Sequence, residues 1–157
     1  MLAAVPLAAS AQDASTIRHV NPPALPAARG YSHVVVAPAG RLVAISGQVA
    51  LDKDGNVVGA GDFEAQCTQV FENLKAALQS VGLGFADVIR TDMYVTDLKH
   101  LAALREVRSR YLPEDALPAS TLLQVEALFR PELMIEVSVE AVIPDRRPTT
   151  DAAAATP

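Results

Sequence analysis

The sequence predicts a small α+β protein in which two helices cover one face of a mixed β-sheet. Its 157 residues match the size of one domain. Strand-like and helix-like segments follow one another in the order β-β-α-β-α-β-β, and the last strand alternates apolar and polar residues. Because two helices cover a single sheet face, the opposite face must meet water or another subunit.

Two β-rich runs open the predicted fold. They span His33–Ala37 and Leu42–Gly47, and the Pro-Ala-Gly segment between them is typical of a hairpin turn. Residues 12–29 hold three prolines and show no apolar period. This composition predicts a leader that precedes the domain proper at residues 30–144.

Two helices follow, separated by a strand. Apolar residues recur at helical spacing from Asp62 to Val81, and Cys67 falls on the apolar side, where we expect it to fill the core. The run Val88–Val95 predicts a strand. Asp97 then has the side chain of an N-cap for a second helix over Leu98–Tyr111.

The last two predicted strands are Thr121–Leu128 and Leu133–Ile143. In the second of these, one face carries apolar and the other polar side chains: Ile135, Val137, Val139 and Ala141 against Glu136, Ser138 and Glu140. Five apolar strand residues exceed what a thin helical layer is expected to hide: Val35, Val43, Ile45, Met93 and Leu123. The open face is therefore expected to pack against another subunit.

Composition argues against nucleic acid as the main partner. The net charge is −5, the pI is near 5.1, and no basic run is present. Aromatic residues form 4% of the chain and tryptophan is absent, so stacking platforms for single strands are missing.

The two ends of the chain predict its compartment and its boundaries. Residues 2–9 are apolar and Ala9-Ser10-Ala11 fits a cleavage site, so residues 1–11 resemble a truncated signal peptide. We expect export to the periplasm or the exterior; the lack of a basic residue before the apolar run leaves the cytoplasm as the alternative. The apolar run is too short to span a bilayer. Residues 145–157 have the composition of a disordered tail.

Five motifs occur in an order that is specific as a set. They are Arg29-Gly30-Tyr31-Ser32, Ile45-Ser46-Gly47-Gln48, the Val-Thr-Asp-Leu ending of residues 88–98, Leu117-Pro118-Ala119-Ser120-Thr121-Leu122, and Ile135-Glu136-Val137. With these motifs, residues 18–144 resemble the RidA/YjgF family. The resemblance implies a homotrimer of chorismate-mutase-like subunits with small-molecule pockets in the clefts between chains. For the deaminating members it also implies hydrolysis of enamines and imines to keto acids and ammonia, without metal or organic cofactor.

The same resemblance implies roles for single residues. Deaminating members carry an arginine at the position of Ser120, which holds the substrate carboxylate in a bidentate geometry that serine cannot reproduce. A tyrosine of the first strand corresponds to Tyr31, which lines the pocket or packs a strand end. Gly47 is a candidate substrate-binding residue, as a position of close backbone approach and not as a catalyst. A glutamate that orients the hydrolytic water corresponds to Glu136, with Glu140 on the same face as the alternative.

Arg130 and the histidines are weaker candidates for the functional site. Arg130, in the turn before the last strand, is a candidate to replace the missing guanidinium, with a surface role as the alternative. The three histidines, His19, His33 and His100, lack the spacing of metal ligands, so no metal site is predicted.

Two functions remain open on the sequence alone. The first is a cofactor-free hydrolytic deaminase of small enamines or imines whose substrate choice is altered by Ser120. The second is a trimer that binds ligands or protects proteins without catalysis. Members of the family have also been described as endoribonucleases, a role that the acidic charge of this chain disfavours.

Overall fold

A computed structural model of the chain describes residues 16–145. The strands are β1 (Arg18–Val20), β2 (Val34–Val36), β3 (Gly40–Val49), β4 (Val88–Val95), β5 (Ala119–Gln124) and β6 (Ile135–Pro144), and the helices are α1 (Phe63–Ser80) and α2 (Leu101–Ser109). The expected signal segment, residues 1–11, and all but the first residue of the expected tail lie outside the described residues. Export therefore stays a prediction.

Four strands form the main sheet in the order β3-β6-β4-β5. The inner strand β6 runs antiparallel to both of its neighbours, whereas β4 and β5 are parallel. The sheet is therefore mixed. α1 packs on β3 and β6, and α2 packs beside α1 and contributes Leu104 and Val107 to the same core, in agreement with the predicted α+β class. β6 and β4 are the two inner strands and are hydrogen-bonded on both sides, whereas β3 and β5 are the edge strands.

The predicted hairpin between the first two β-rich runs is wrong. β2 pairs with β1, in the register His19 to Val35, and these two strands form a separate ribbon. The sequence did not indicate β1, because three residues are too few to show a period. The ribbon is attached to the start of β5, where the Ser32 amide donates to the carbonyl of Pro118 at 3.0 Å.

Helix α1 follows its prediction closely. The Asp62 side chain caps it by accepting a hydrogen bond from the Ala65 amide at 3.1 Å. Gly82, with φ of 75°, adopts the left-handed conformation that commonly follows a helix end. Cys67 is fully buried on the inner face, and burial raises the pKa of its thiol to about 12. The expected core role of Cys67 is confirmed.

The second helix is shorter than predicted. Asp97 accepts a hydrogen bond from the Lys99 amide and so caps a single 3₁₀ turn, and the α-helix begins only at Leu101. Leu104 and Val107 are buried on its inner face. Among residues 16–145, no helix has the length and apolar character needed to cross a membrane.

The alternation of β6 is present as predicted, but the apolar residues of the open face differ from those expected. Met93 is only 2% exposed, and Val43 and Ile45 pack against the core, so the helices cover more of the sheet than the sequence indicated. On the open face, Leu42 and Leu123 are exposed to 64% and 50%. These two leucines are the large apolar side chains that the helical layer leaves uncovered there.

A buried amide fixes the start of β6 relative to α1. The side chain of Gln66 donates to the carbonyls of Gly59 and Glu132, at 3.2 and 2.7 Å, and accepts from the Met134 amide at 2.8 Å. Gln66 is fully buried, so no water replaces these bonds. One side chain thus satisfies three backbone groups in loops that have no strand partner.

Replacing Gln66 with leucine removes these bonds at nearly constant volume. We expect Gln66→Leu to lower the free energy of unfolding by about 2–4 kcal/mol, because buried backbone groups lose their partners. Denaturant titration at one fixed protein concentration measures the change. The control Gln79→Leu, at an exposed position of the same helix, should shift the free energy by less than about 0.5 kcal/mol. Equal effects of the two substitutions would contradict this role of Gln66.

Candidate functional site

A cavity of about 230 Å³ lies between α2 and the β5 edge of the main sheet. Its walls are formed by Arg29, Tyr31, Met93, Leu101, Leu104, Arg105, Arg108, Ser120 and Leu122. We call it the β5 pocket. It combines an apolar floor with several polar groups, which is the usual composition of a small-molecule site.

Two of the residues singled out from the sequence, Ser120 and Tyr31, line the β5 pocket. Ser120 lies opposite Thr91 in the parallel pair of β4 and β5, and its Oγ accepts a hydrogen bond from the Thr91 hydroxyl at 3.1 Å. Thr91 is buried, so this bond holds Ser120 on the helix-covered side of the sheet. Tyr31 meets the ring of His33 edge to face, with 5.1 Å between ring centroids.

Sequence reasoning missed the guanidinium of Arg108. Gly30 has φ of 82°, and a Cβ atom at this position would overlap Nη2 of Arg108, so the glycine leaves the space that the guanidinium fills. Burial lowers the pKa of Arg108, and the nearby Arg105 lowers it further. The helical pattern held a weak signal, because Arg108 stands four residues after buried Leu104 and so borders the inner face of α2.

Gly47 and Glu136 form a second group on the open face of the sheet. A Cβ atom at Gly47 would overlap Oε1 of Glu136, so the carboxylate lies directly over the glycine backbone. Gly47 belongs to an irregularity of β3 between Ile45 and Gln48, where the register with β6 shifts. Gly47 is therefore a position of close approach to a side chain, and its role in substrate binding stays a prediction.

Arg130 lies apart from both groups. Its guanidinium donates to the carbonyl of Gly55 at 3.0 Å and stands over the exposed ring of Phe129, 5.8 Å from the ring centroid. It therefore supports the Asp-Gly turn at residues 52–56 and does not line the β5 pocket.

Within one chain, Ser120 and Glu136 are on opposite faces of the sheet. Ser120 aligns with Thr91 in β4, whereas Glu136 aligns with Tyr94, three residues further along the same strand. The two positions are also two strands apart, which separates them by about 14 Å at ordinary strand spacings. A single copy of the chain does not bring these two residues to one site.

A second cavity, of about 510 Å³, opens on the helical surface and contains none of the residues predicted from the sequence. Tyr111 lines it and donates to Glu72 at 2.9 Å, and burial together with this carboxylate raises the pKa of Tyr111 to about 12. Within residues 16–145, no group of three or more His, Cys, Asp or Glu side chains is arranged to hold a metal ion.

Comparison with known proteins assigns this chain to a family. The family model described as Endoribonuclease L-PSP matches residues 22–143. Protein DfrA of Myxococcus xanthus is 42% identical over 100 residues, which cover 64% of this chain and 76% of that protein.

Two solved structures extend the comparison to the fold. A protein of unknown function of the conserved Rid family, YyfB from Yersinia pestis, is 37% identical, with a TM-score of 0.75 over 82% of this chain and 99% of its own. RidA from an Antarctic Psychrobacter is 33% identical, with a TM-score of 0.61 over 84% of this chain and 97% of its own.

Proposed function

Because the chain belongs to the RidA/YjgF family, whose family model is described as Endoribonuclease L-PSP, we propose that it forms a homotrimer that binds small molecules between its subunits and hydrolyses reactive imines or enamines there. One observation carries this proposal. The β5 pocket and the Glu136 carboxylate lie on opposite faces of the sheet, so a site that contains both requires two chains.

The position of the pocket supports such an assembly. β5 is an edge strand, and the β5 pocket lies beside it, where a neighbouring chain has access. The open face of the neighbour carries Glu136 together with exposed Leu42 and Leu123. Packing this face near the β5 edge would bury the leucines and bring Glu136 towards the pocket of the first chain.

The proposed chemistry needs one carboxylate and one water molecule besides the ligand contacts. Glu136 accepts a proton from water as the oxygen attacks the imine carbon and forms a carbon–oxygen bond. Glu136 returns this proton to the nitrogen, which gives a carbinolamine with a new hydroxyl group. The carboxylate then takes the hydroxyl proton and passes it to the nitrogen as the carbon–nitrogen bond breaks, so that a ketone and ammonia leave. No electrons are exchanged with a second reactant, so the reaction is a simple hydrolysis.

The serine at position 120 favours a second candidate, a trimer that binds its ligand without catalysis. Where deaminating relatives carry arginine, Ser120 offers a single hydroxyl, and Thr91 already donates a hydrogen bond to it. The two candidates share the assembly and the pocket. They differ in whether Glu136 increases the rate of hydrolysis.

The carboxylate of Glu136 is tested by Glu136→Gln, with Glu140→Gln as the matched control on the same face of β6. We expect the first substitution to lower kcat for hydrolysis of enzymatically generated 2-iminopropanoate by about 100-fold or more, because it removes the general base. The second should leave kcat within about threefold, because Glu140 is not assigned to the site. Circular dichroism of both variants verifies the fold.

The remaining outcomes decide between the two candidates. Loss of activity in Glu140→Gln alone would move the catalytic role to Glu140. Hydrolysis by wild-type protein that does not exceed the buffer rate would contradict deaminase activity and favour the ligand-binding trimer.

Assembly is tested separately at Leu123, which is half exposed on the open face. Leu123→Asp places a charge where the interface is expected to be apolar, so we expect sedimentation velocity to show the 16.5 kDa single chain instead of a trimer. Val81→Asp, at a residue of similar exposure at the end of α1, should leave the assembly intact. A wild-type protein that sediments as a stable monomer at micromolar concentration would exclude the trimer.

A further inference from the structure

Arg105 and Arg108 of the β5 pocket differ from Arg90 and Arg110 in their partners. Arg110, on the same helix, is paired with Glu64 and Glu106 at 2.9 Å each, and Arg90 is paired with Asp92. Within residues 16–145, the guanidinium groups of Arg105 and Arg108 form no ion pair. The positive charges of Arg105 and Arg108 in the β5 pocket are thus left without a compensating carboxylate from the described part of the chain.

The composition of the pocket wall strengthens this contrast. Arg29, Arg105 and Arg108 contribute to the wall, and none of the lining residues is acidic. Arg108 is the partly buried member of the three, whereas Arg29 and Arg105 are exposed at the entrance. A guanidinium that has lost part of its hydration without gaining a carboxylate is costly unless an anion binds to it.

We propose that Arg108 is the anion-binding residue of the β5 pocket, and that with Arg105 it selects small organic ligands that carry two carboxylates. This inference rests on the proposed ligand site between subunits and names its ligand class. Arg108 binds the first carboxylate in the bidentate geometry that a serine at position 120 does not offer. Arg105 lies one helical turn earlier on α2 and binds the second carboxylate at the pocket entrance.

The size and polarity of the pocket agree with such a ligand. A cavity of about 230 Å³ has the volume of roughly eight water molecules, which suits a diacid with a short carbon chain. Leu101, Leu104 and Leu122 provide an apolar wall for its methylene groups. Ser120 adds a hydroxyl that accepts from Thr91 and keeps its own proton for the ligand.

Isothermal titration of the full chain with succinate and butyrate tests the proposal, because these four-carbon acids differ mainly in the second carboxylate. The ionic strength is kept low and constant, since salt screens the contact at the entrance. We expect succinate to bind wild-type protein at least tenfold more tightly than butyrate. Equal affinities, or no binding of either acid, would overturn the proposal.

Three variants test which arginine binds which carboxylate of the ligand. Arg108→Gln should weaken succinate binding tenfold or more, and Arg105→Gln should remove the preference for succinate while butyrate binding is kept. Arg41→Gln removes one exposed positive charge outside the pocket and should change neither affinity. Unchanged binding in Arg108→Gln would contradict its role. If Arg108→Gln fails to fold, Arg108→Lys retains the charge without the bidentate geometry, and the same loss is expected.

Sedimentation of the variants separates a ligand from a neighbouring chain as the source of the anion. If Arg108→Gln dissociates the assembly, the guanidinium pairs with a carboxylate of a second copy, and the proposal is wrong. Binding of succinate does not depend on turnover. Absence of hydrolysis with intact succinate binding would therefore contradict the proposed deaminase and leave this inference standing. Hydrolysis of the imine without succinate binding would support the deaminase and overturn this inference.

Discussion

The alternation of β6 constrains the rest of the structure. β6 is an inner strand of the main sheet, and its apolar residues must face the helices because α1 and α2 cover only that side. A shift of one residue would bury Glu136 and Glu140 under the helices without partners. The register is therefore strongly specified, and the buried amide of Gln66 holds the loop that leads into it.

The same constraint divides the polar groups between the two faces of the sheet. Glu136 lies on the open face above Gly47, whereas Ser120 and Arg108 belong to a pocket on the helix-covered side at the β5 edge. Neither group is a complete site for a hydrolytic reaction that needs both a carboxylate and a substrate anchor. In the proposed trimer, assembly and chemistry are linked, because the surface proposed to pack against a neighbour also carries Glu136, the proposed general base.

How much the sequence could predict depended on the range of the interactions involved. Helix α1, strand β4 and the alternation of β6 were predicted correctly, because each follows from a local pattern of apolar and polar residues. β1 was missed because it has three residues, and the hairpin was wrong because β2 finds its partner in a segment that showed no period. The chain's family was also readable from its motifs.

Of the residues singled out from the sequence, Tyr31 and Ser120 line the β5 pocket, whereas Gly47 and Glu136 meet on the open face. The guanidinium in the pocket was not predicted. Arg130 was considered because it is near the last strand along the chain, yet its guanidinium reaches Gly55. Arg108 enters the pocket because Gly30, far away in sequence, leaves room for it. Such a contact between distant segments has no local signature, so only the folded structure brings it into view.

We propose that one active site uses Glu136 from one chain and the β5 pocket from another. This proposal is tested most directly by unfolding Glu136→Gln and Arg108→Gln proteins together, refolding the mixture and measuring hydrolysis of 2-iminopropanoate. At a substrate concentration well below KM, Glu136→Gln alone is expected to keep about a hundredth or less of wild-type activity and Arg108→Gln about a tenth or less. Random threefold mixing should restore about a quarter of wild-type activity, because every hybrid trimer contains one intact site. A refolded mixture no more active than its two parents, with hybrids verified by mass spectrometry, would contradict a site shared between chains.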